Sequence, residues 1–368
     1  MMAPRKPLIA LAAGGTGGHV FPALAVAEAL RGAGVETLLM TDHRGARLIP
    51  AAGRVVLPAA SPFKGGVARR LIALAKLACG AVLALALMVR RRPAAMIGFG
   101  GYPSFAPLLV ARTLGVPAVL HEQNAFLGRA NHLLARSTGH LALSWEGTRN
   151  LPAKVTSFIS GMPVRAAFFT ITPRPDRVDG SLSLTVIGGS LGAAVFAELV
   201  PAALAMLPDH LRARLSVVQQ CRPEQVQAVR EHYAALGMDV VVDSFFDDMP
   251  DRLADSDLVI ARAGASTVAE LAAAGRPALL VPFAGAMDDH QTANAEKFEA
   301  AGAGHCLAET GLEAGTLAAL IAEILEDSDR RQRMGRAARD LAAANAADII
   351  ANHALTRAGV AMTDGSAS

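Results

Sequence analysis

Residues 8–22 of the chain read LIALAAGGTGGHVFP, an apolar run that leads directly into four glycines and a histidine. The apolar run is typical of a buried strand, and the pattern of residues 23–30 predicts a helix behind the glycines. Glycine leaves backbone N–H groups unobstructed, and the start of a helix attracts anions. The stretch therefore predicts a phosphate-binding turn between a strand and a helix, although a tight turn that simply needs glycine has the same pattern.

This first glycine loop matches neither of two common nucleotide-binding motifs. A dinucleotide-binding fingerprint counted from Gly15 needs its third glycine at position 20, where the chain has Val20. A P-loop needs Gly-Lys-Ser or Gly-Lys-Thr, and neither tripeptide occurs in the sequence. These two classes of nucleotide site are therefore excluded.

The length and composition indicate a two-domain α/β protein. At 368 residues the chain is long for a single core, and 52% of its residues are hydrophobic while 18% are charged. A net charge of +3 is too small to indicate nucleic-acid binding. The three cysteines have no metal-binding spacing, and the basic N-terminus leads into the glycine loop without a cleavage site, so we expect a reducing compartment and no signal peptide.

The chain repeats its opening pattern after residue 180. Residues 170–180 contain two prolines and no hydrophobic period, which predicts a linker, and a new strand at 182–187 then leads into the glycines of residues 188–192. We predict an N-terminal domain at 1–165, a C-terminal domain at 166–342, a helix at about 343–358 that packs back on the first domain, and a disordered tail at 359–368. The predicted fold class is α/β, with two doubly wound domains that face each other across a cleft.

Residues 71–89 form an apolar run of nineteen residues with a single charge, Lys76. The run approaches the length of a transmembrane helix, but Lys76, the many alanines and the α/β sequence on both sides argue against a span. Arginines flank it at both ends, so one interpretation is a surface helix on an anionic membrane and the other is a buried crossover helix with solvated ends. The predicted membrane contacts are Arg69, Arg70, Leu71, Leu74, Lys76, Arg90 and Arg91.

A second candidate anion site lies in residues 262–270, RAGASTVAE, where a predicted strand runs into a helix. If this helix begins at residues 264–266, its N–H groups can bind a diphosphate, and Glu270 can accept hydrogen bonds from a ribose diol. Glu270 as an ordinary surface residue is the alternative. Arg165 suits either a phosphate or an interdomain salt bridge. Asp255 and Asp257 have the spacing of a metal-binding pair but precede a strand, so we expect a turn there and no metal.

Six ordered stretches together resemble the MurG family of N-acetylglucosaminyltransferases, within glycosyltransferase family 28. They are GGTGGHVFP (14–22), HEQN (121–124), GMPVR (161–165), GGSLGA (188–193), RAGASTVAE (262–270) and DHQTANA (289–295). The resemblance implies the GT-B fold, with two Rossmann-like domains. It also implies an inverting, metal-independent transfer of GlcNAc from UDP-GlcNAc to the MurNAc 4-hydroxyl of undecaprenyl-linked lipid I, which gives lipid II for peptidoglycan.

The resemblance further implies a peripheral enzyme on the cytoplasmic face of the bacterial inner membrane, without a cofactor and with partners in cell-wall synthesis. His19 becomes the leading general base and Glu122 the second candidate, although His19 as a helix cap or phosphate contact stays open. The implied acceptor-side residues are Gly14, Gly15, Tyr102 and His121. The implied donor-binding residues are Thr16, Gly17, Gly18, Asn124, Arg165, Ser190, Phe246, Arg262, Gly264, Ala265, Ser266, Thr267, Glu270, His290 and Gln291.

The chain departs from the family pattern at Met162, where Asn is usual, at Leu191, where Gln is frequent, and at His290, where some members have Gln. Two other functions stay open. A sensor that binds a nucleotide sugar without transfer would keep residues 262–270 and not need His19. A related GT-B transferase with another acceptor would keep the donor residues and change Tyr102 and residues 121–124.

Overall fold

The structure is a computed structural model that describes residues 6–62, 66–172, 177, 180–189, 193–238, 240–286 and 289–360. The chain divides into two compact units, residues 1–165 with 343–368 (unit 1) and residues 166–342 (unit 2). Ser190 of the predicted donor site, Leu191, and the predicted tail from residue 361 onward lie outside the described residues.

Unit 1 is built on a seven-stranded parallel sheet with the order β3-β2-β1-β4-β5-β6-β7. Its strands are β1 (Leu8–Ala12), β2 (Glu36–Thr41), β3 (Arg54–Val56), β4 (Ala95–Gly98), β5 (Ala118–Glu122), β6 (His140–Leu143) and β7 (Thr156–Ile159). The strand order reverses direction between β1 and β4. In a doubly wound sheet the ligand crevice forms at this point, beyond the carboxyl ends of the strands.

Helices cover both faces of this sheet. They are α1 (Gly17–Gly32), α2 (Val67–Arg91), α3 (Tyr102–Thr113), α4 (Arg129–Thr138) and α14 (Ala346–Arg357). Residues of α1 and α14 share one hydrophobic core with the sheet, and residues of α2, α3 and α4 share the other. The last helix of the chain therefore belongs to the core of unit 1.

Unit 2 repeats the same topology with six parallel strands in the order β10-β9-β8-β11-β12-β13. The strands are β8 (Leu182–Ile187), β9 (Leu215–Gln220), β10 (Val240–Asp243), β11 (Leu258–Ala261), β12 (Ala278–Leu280) and β13 (Gly304–Cys306). The helices are α5 (Ala166–Phe169), α6 (Phe196–Ala205), α7 (Asp209–Arg212), α8 (Val226–Ala235), α9 (Met249–Asp255), α10 (Ala265–Ala274), α11 (His290–Ala300), α12 (Ala314–Glu326) and α13 (Ser328–Asp340). The prediction of an α/β fold with two doubly wound, Rossmann-like sheets is confirmed.

Three strands differ from the sequence-based expectation. β6 and β13 were not predicted, because four and three residues are too few to show a period and each contains a histidine. β5 continues through His121 and Glu122, the first two residues of the polar HEQN stretch. These two polar side chains therefore belong to a central strand and not to the loop that follows it.

Gly161 lets the end of the chain return to unit 1. Its φ of +76° lies in the left-handed region, and the position of a Cβ on this residue is already occupied by the Cβ of Ala343. A second methyl group, the Cβ of Ala346, lies 3.5 Å from the same position. Only glycine therefore fits between β7 and the chain that enters α14.

We expect Gly161→Ala to destabilise unit 1 by about 3 kcal/mol, because the backbone strain of the left-handed region and a steric clash with Ala343 act together. Gly115→Ala is the matched control, since Gly115 has a φ of +68° and no atom within 4 Å of its Cβ position. The control should cost about 1 kcal/mol. Urea unfolding of both variants measures the difference, and equal losses would contradict the close contact with Ala343.

Candidate active site

The first glycine loop joins β1 to α1 in a tightly fixed conformation. Gly15 has a φ of +86°, and a Cβ on Gly14 would lie 2.7 Å from Pro103 Cγ and 2.8 Å from Asp42 Oδ1. Thr16 precedes α1 with an extended backbone and no side-chain capping hydrogen bond, and the first turn of α1 contains no acidic residue. The loop therefore needs glycine at positions 14 and 15. The partial positive charge at the start of α1 is not neutralised by any side chain of its first turn.

Asp42 holds this loop and was not among the predicted site residues. Its carboxylate is 1% exposed, and Oδ1 accepts hydrogen bonds from the N–H groups of Gly15 (3.0 Å) and Gly45 (2.9 Å). Oδ2 lies 3.3 Å from Nε of Arg44. Burial raises the pKa of Asp42, but the hydrogen bonds and the Arg44 charge outweigh it and hold the pKa below its ordinary value. Asp42 is thus ionised at neutral pH, and its hydrogen bond to the N–H of Gly15 fixes the turn.

His19 lies in the first turn of α1 and is partly exposed, because α1 begins at Gly17 and not at residue 23 as predicted. Its Nδ1 is 3.3 Å from Oγ1 of Thr16, and its Cε1 is 3.9 Å from the Cβ position of Gly101. When Nδ1–H donates to the threonine hydroxyl, Nε2 carries the lone pair of the neutral ring. The arrangement suits an imidazole that accepts a proton through Nε2.

His121, which the family resemblance implies on the acceptor side, lies inside the fold. Its side chain is fully buried, Nε2 donates to the carbonyl of Gly161 at 3.2 Å, and Nδ1 accepts from Nε2 of Gln123 at 3.2 Å. The hydroxyl of Ser144 lies 3.2 Å from the same Nε2. Burial lowers the pKa of His121 to about 4, so the ring is neutral near physiological pH.

Glu122 is 1% exposed and its two carboxylate oxygens are fully engaged. Oε1 accepts from the backbone N–H (2.9 Å) and side-chain Nδ2 (3.0 Å) of Asn124, and Oε2 accepts from Gly128 N–H (3.2 Å) and Asn131 Nδ2 (2.8 Å). Burial raises the pKa of Glu122, and these donors offset part of that rise. The geometry favours a residue that shapes the loop after β5, whereas His19 is the more accessible of the two candidate bases.

Three other predicted residues of unit 1 lie near the carboxyl ends of its strands or just beyond them. Tyr102 is the first residue of α3, Asn124 follows β5, and both are partly exposed. The guanidinium of Arg165 lies 4.8 Å from the centre of the Phe21 ring in α1. Aromatic packing therefore orients Arg165 beside the first helix.

The second candidate anion site has the predicted strand-to-helix geometry. β11 ends at Ala261, and α10 begins at Ala265 after Gly264, which has an extended backbone and no side-chain capping bond. Nδ2 of the buried Asn294 donates to the carbonyl of Ala263 at 3.1 Å and so fixes the turn. Glu270 lies in the middle of α10 and is partly exposed. The start of α10, with Ala265, Ser266 and Thr267, is therefore suited to an anion.

Arg262, one of the implied donor-binding residues, is buried. Its burial was not predicted from the sequence. It donates to the carbonyls of Val281 (3.1 Å) and Pro282 (3.2 Å) and pairs with Glu309 at 2.7 Å. Its guanidinium also lies 5.1 Å from the Phe196 ring and 5.4 Å from the Phe283 ring. Arg262 therefore stabilises the loop after β12.

Glu309 completes this cluster and was missed in the sequence. Its Oε2 accepts from the N–H of Ala284 at 2.9 Å. Burial raises the pKa of Glu309, but the bonds from Arg262 and Ala284 outweigh it, so the pKa lies below the ordinary value. No local pattern marks a single glutamate whose partners lie 25 and 47 residues away.

His290 and Gln291, two of the implied donor-binding residues, are the first residues of α11, and both are partly exposed. The side-chain oxygen of Gln291 accepts from the N–H of Phe283 at 3.0 Å, which orients its NH₂ group. After β10, Phe245 is 59% exposed, and the Phe246 ring lies 5.1 Å from the guanidinium of Arg252. Aromatic and amide groups thus lie at separate points along the carboxyl edge of the second sheet.

Asp255 is the last residue of α9, and Asp257 directly precedes β11 at the amino end of that strand. Asp257 accepts from the N–H of Ser183 at 2.8 Å, and Asp255 pairs with Arg177 at 3.5 Å. Within the ranges that the structure describes, no group of three or more His, Cys, Asp or Glu residues could hold a metal ion. Each aspartate is therefore engaged by a residue in or just before β8.

The buried His121 predicts a pH dependence of stability. Its pKa is 6.5 for the ordinary side chain and about 4 in the fold. Between pH 6.5 and pH 4 this histidine is therefore protonated in the unfolded chain and neutral in the folded chain. The free energy of unfolding falls over this range as the pH decreases, by up to about 3 kcal/mol. Urea unfolding of His121→Gln should show a smaller loss over this range than the wild type. An exposed control, His43→Gln, should keep the wild-type slope, and an unchanged slope in His121→Gln would refute the assignment.

Comparison with known proteins identifies the family. The profile of the glycosyltransferase family 28 N-terminal domain matches residues 9–141, and that of its C-terminal domain matches residues 183–352. A relative from Paramagnetospirillum magneticum, named UDP-N-acetylglucosamine–N-acetylmuramyl-(pentapeptide) pyrophosphoryl-undecaprenol N-acetylglucosamine transferase, is 44% identical, over 95% of this chain and 97% of its own. A relative of the same name from Rhodospirillum rubrum is 45% identical, over 94% of this chain and 90% of its own.

A solved structure agrees with the sequence relatives. The crystal structure of MurG from Acinetobacter baumannii superposes with a TM-score of 0.76 at 30% identity, over 95% of this chain and 99% of that one. The resemblance predicted from six short stretches is therefore confirmed along nearly the whole sequence. The chain belongs to glycosyltransferase family 28.

Proposed function

We propose that this chain transfers GlcNAc from UDP-GlcNAc to the 4-hydroxyl of the MurNAc unit of lipid I, giving lipid II for peptidoglycan. The observation that carries the proposal is the similarity, along 95% of the chain, to a relative named for this reaction. The site chemistry supports it, because α1 in unit 1 follows a glycine loop, α10 in unit 2 follows Gly264, and neither helix start has a side-chain cap. Uncapped helix starts of this kind suit a diphosphate. Both substrates of this reaction contain a diphosphate.

The donor belongs to unit 2 in this proposal. The start of α10 stabilises the diphosphate of UDP-GlcNAc, Glu270 accepts hydrogen bonds from the ribose, and Phe246 lies beside the uracil. Gln291 and His290 bind sugar hydroxyls. Arg262 and Glu309 act indirectly, since their contacts fix the loop that carries Phe283 and receives Gln291.

The chemical step is an inverting displacement. The MurNAc 4-hydroxyl oxygen attacks the anomeric carbon of GlcNAc, the bond from that carbon to the UDP oxygen breaks, and UDP leaves with the electron pair. Nε2 of His19 takes the hydroxyl proton, since the Thr16 hydroxyl at Nδ1 can hold the ring in the required tautomer. Donors aimed at the leaving diphosphate stabilise the charge that develops there.

The outer face of α2 is the proposed membrane contact. Only Ala73, Gly80, Ala84 and Met88 of this 25-residue helix are buried. By length and composition alone α2 could cross a bilayer, and it is the single such helix in the described part of the chain. Because its inner stripe packs in the core of unit 1, we propose that α2 lies on the cytoplasmic surface of the inner membrane.

The composition of this outer face supports an anionic surface. Leu71 is 62% exposed and Leu74 is 54% exposed. Arg69, Arg70 and Lys76 are exposed in the same part of α2, and Arg90 is exposed near its other end. Arg91 is a weaker candidate than predicted, since it lies 3.6 Å from Glu36 in an ion pair. Exposed leucines next to cations suit insertion at the boundary between headgroups and acyl chains.

The test of the reaction uses labelled UDP-GlcNAc and a short-chain lipid I analogue, followed by extraction of labelled lipid. We expect transfer by the wild type and a drop in kcat of about 10²–10⁴-fold in His19→Ala, the usual contribution of a general base. His232→Ala, at an exposed position in unit 2, is the control and should be fully active. Donor binding without labelled lipid would refute the transferase, and near-normal kcat in His19→Ala would refute the base.

Flotation with vesicles tests the membrane contact. Binding should increase with the fraction of anionic lipid and should be lost in the triple variant Arg69→Glu/Arg70→Glu/Arg90→Glu, because attraction turns into repulsion. The control changes net charge equally at three exposed arginines outside α2, Arg47→Glu/Arg222→Glu/Arg336→Glu. If both triple variants lose binding equally, net charge and not α2 governs the interaction.

A further inference from the structure

Asp42 occupies a position that often binds nucleotides in doubly wound domains. It follows β2, next to the glycine loop after β1, where dinucleotide-binding proteins use a carboxylate to bind a ribose. Here the carboxylate is 1% exposed and accepts from the N–H groups of Gly15 and Gly45. The loop's own backbone therefore occupies this carboxylate, and the position cannot serve a ribose.

An ionised carboxylate beside the loop creates an electrostatic problem for any phosphate that approaches. Its negative charge repels a diphosphate, and the N–H of Gly15 is no longer available as a donor. A cation is needed at the same point to make the loop attractive to an anion. Arg44 supplies that cation, since its Nε lies 3.3 Å from Oδ2 of Asp42.

The guanidinium of Arg44 is placed to do more than neutralise Asp42. Its Nη2 lies 3.1 Å from the Cβ position of Gly15, so it reaches over the loop itself. The side chain is 60% exposed, and in the described ranges its only hydrogen-bond partner is Asp42, which it contacts through Nε. Two NH₂ groups of a planar donor therefore stay available to an incoming phosphate.

We propose that Arg44, oriented by Asp42, binds the diphosphate of the lipid-linked acceptor at the first glycine loop. This inference rests on the proposed function, because that reaction brings a second diphosphate to the enzyme besides the one in UDP-GlcNAc. Unit 2 has its own anion site at the start of α10. Unit 1 carries the apolar α2, and the diphosphate of a membrane-anchored acceptor directly follows its polyprenyl chain. The acceptor's diphosphate is therefore assigned to unit 1.

The kinetic test compares Arg44→Ala with Arg47→Ala, an exposed arginine three residues away in the same connection. Arg44→Ala should raise the KM for a short-chain lipid I analogue by about tenfold, the loss of one charge-assisted hydrogen bond. The KM for UDP-GlcNAc should change less than twofold, and Arg47→Ala should change neither. A rise in the donor KM instead would assign Arg44 to UDP-GlcNAc and overturn the proposal, as would equal effects of the two variants.

The double variant Asp42→Asn/Arg44→Ala separates direct binding from neutralisation. Asparagine keeps the acceptor oxygen for the two loop N–H groups but removes the charge. If Arg44 contacts the diphosphate, the acceptor KM stays raised in the double variant. If Arg44 only neutralises Asp42, the KM returns to the wild-type value and the proposal fails.

Calorimetry with geranyl diphosphate and geranyl monophosphate tests Arg44 independently of turnover. The wild type should bind the diphosphate more tightly than the monophosphate, and Arg44→Ala should lose that preference while Arg47→Ala keeps it. An unchanged preference in Arg44→Ala overturns the inference even if transfer occurs. Absence of transfer by the wild type, with the preference intact and dependent on Arg44, overturns only the proposed reaction.

Discussion

Parallel strand pairing is the constraint on which the rest of this structure depends. Every strand pair in the two sheets is parallel, so each connection crosses a face of its sheet and all carboxyl ends of one sheet lie along one edge. The first glycine loop, the residues after β5 and the loop after β12 are brought to those edges by topology alone.

Carboxylates at these edges hold loops, and Asp42 and Glu122 do so from buried positions. Asp42 fixes the turn after β1, Glu122 fixes residues 124–131, and Glu309 with Arg262 fixes residues 281–284. Each carboxylate is satisfied by N–H donors, which offsets the cost of its burial. The residues that contact substrates in our proposals, such as His19 and Arg44, are the more exposed neighbours of these anchors. Preorganisation and binding are thus divided between adjacent residues.

The helix α2 shows how one element can serve both a core and a surface. Three small residues and Met88 form its buried stripe, and Gly80 allows close approach to the carbonyl of Pro58 and to Ala106 in α3. A narrow inner stripe leaves most of the helix facing outward with leucines and cations. Such a composition would be unfavourable in water alone, which is the physical reason for assigning a lipid surface to it.

The sequence by itself determined the class of fold, the repeat of strand, glycine turn and helix, and the family, because these depend on local period and on ordered motifs. It also identified His19, Glu270 and Gln291 as candidates. Only the tertiary structure decided that His121 and Glu122 are buried and that Asp42 and Glu309 anchor the loops. Asp42 accepts from the N–H of Gly15, 27 residues away in the sequence, and Glu309 pairs with Arg262, 47 residues away. No local pattern encodes partners at such distances.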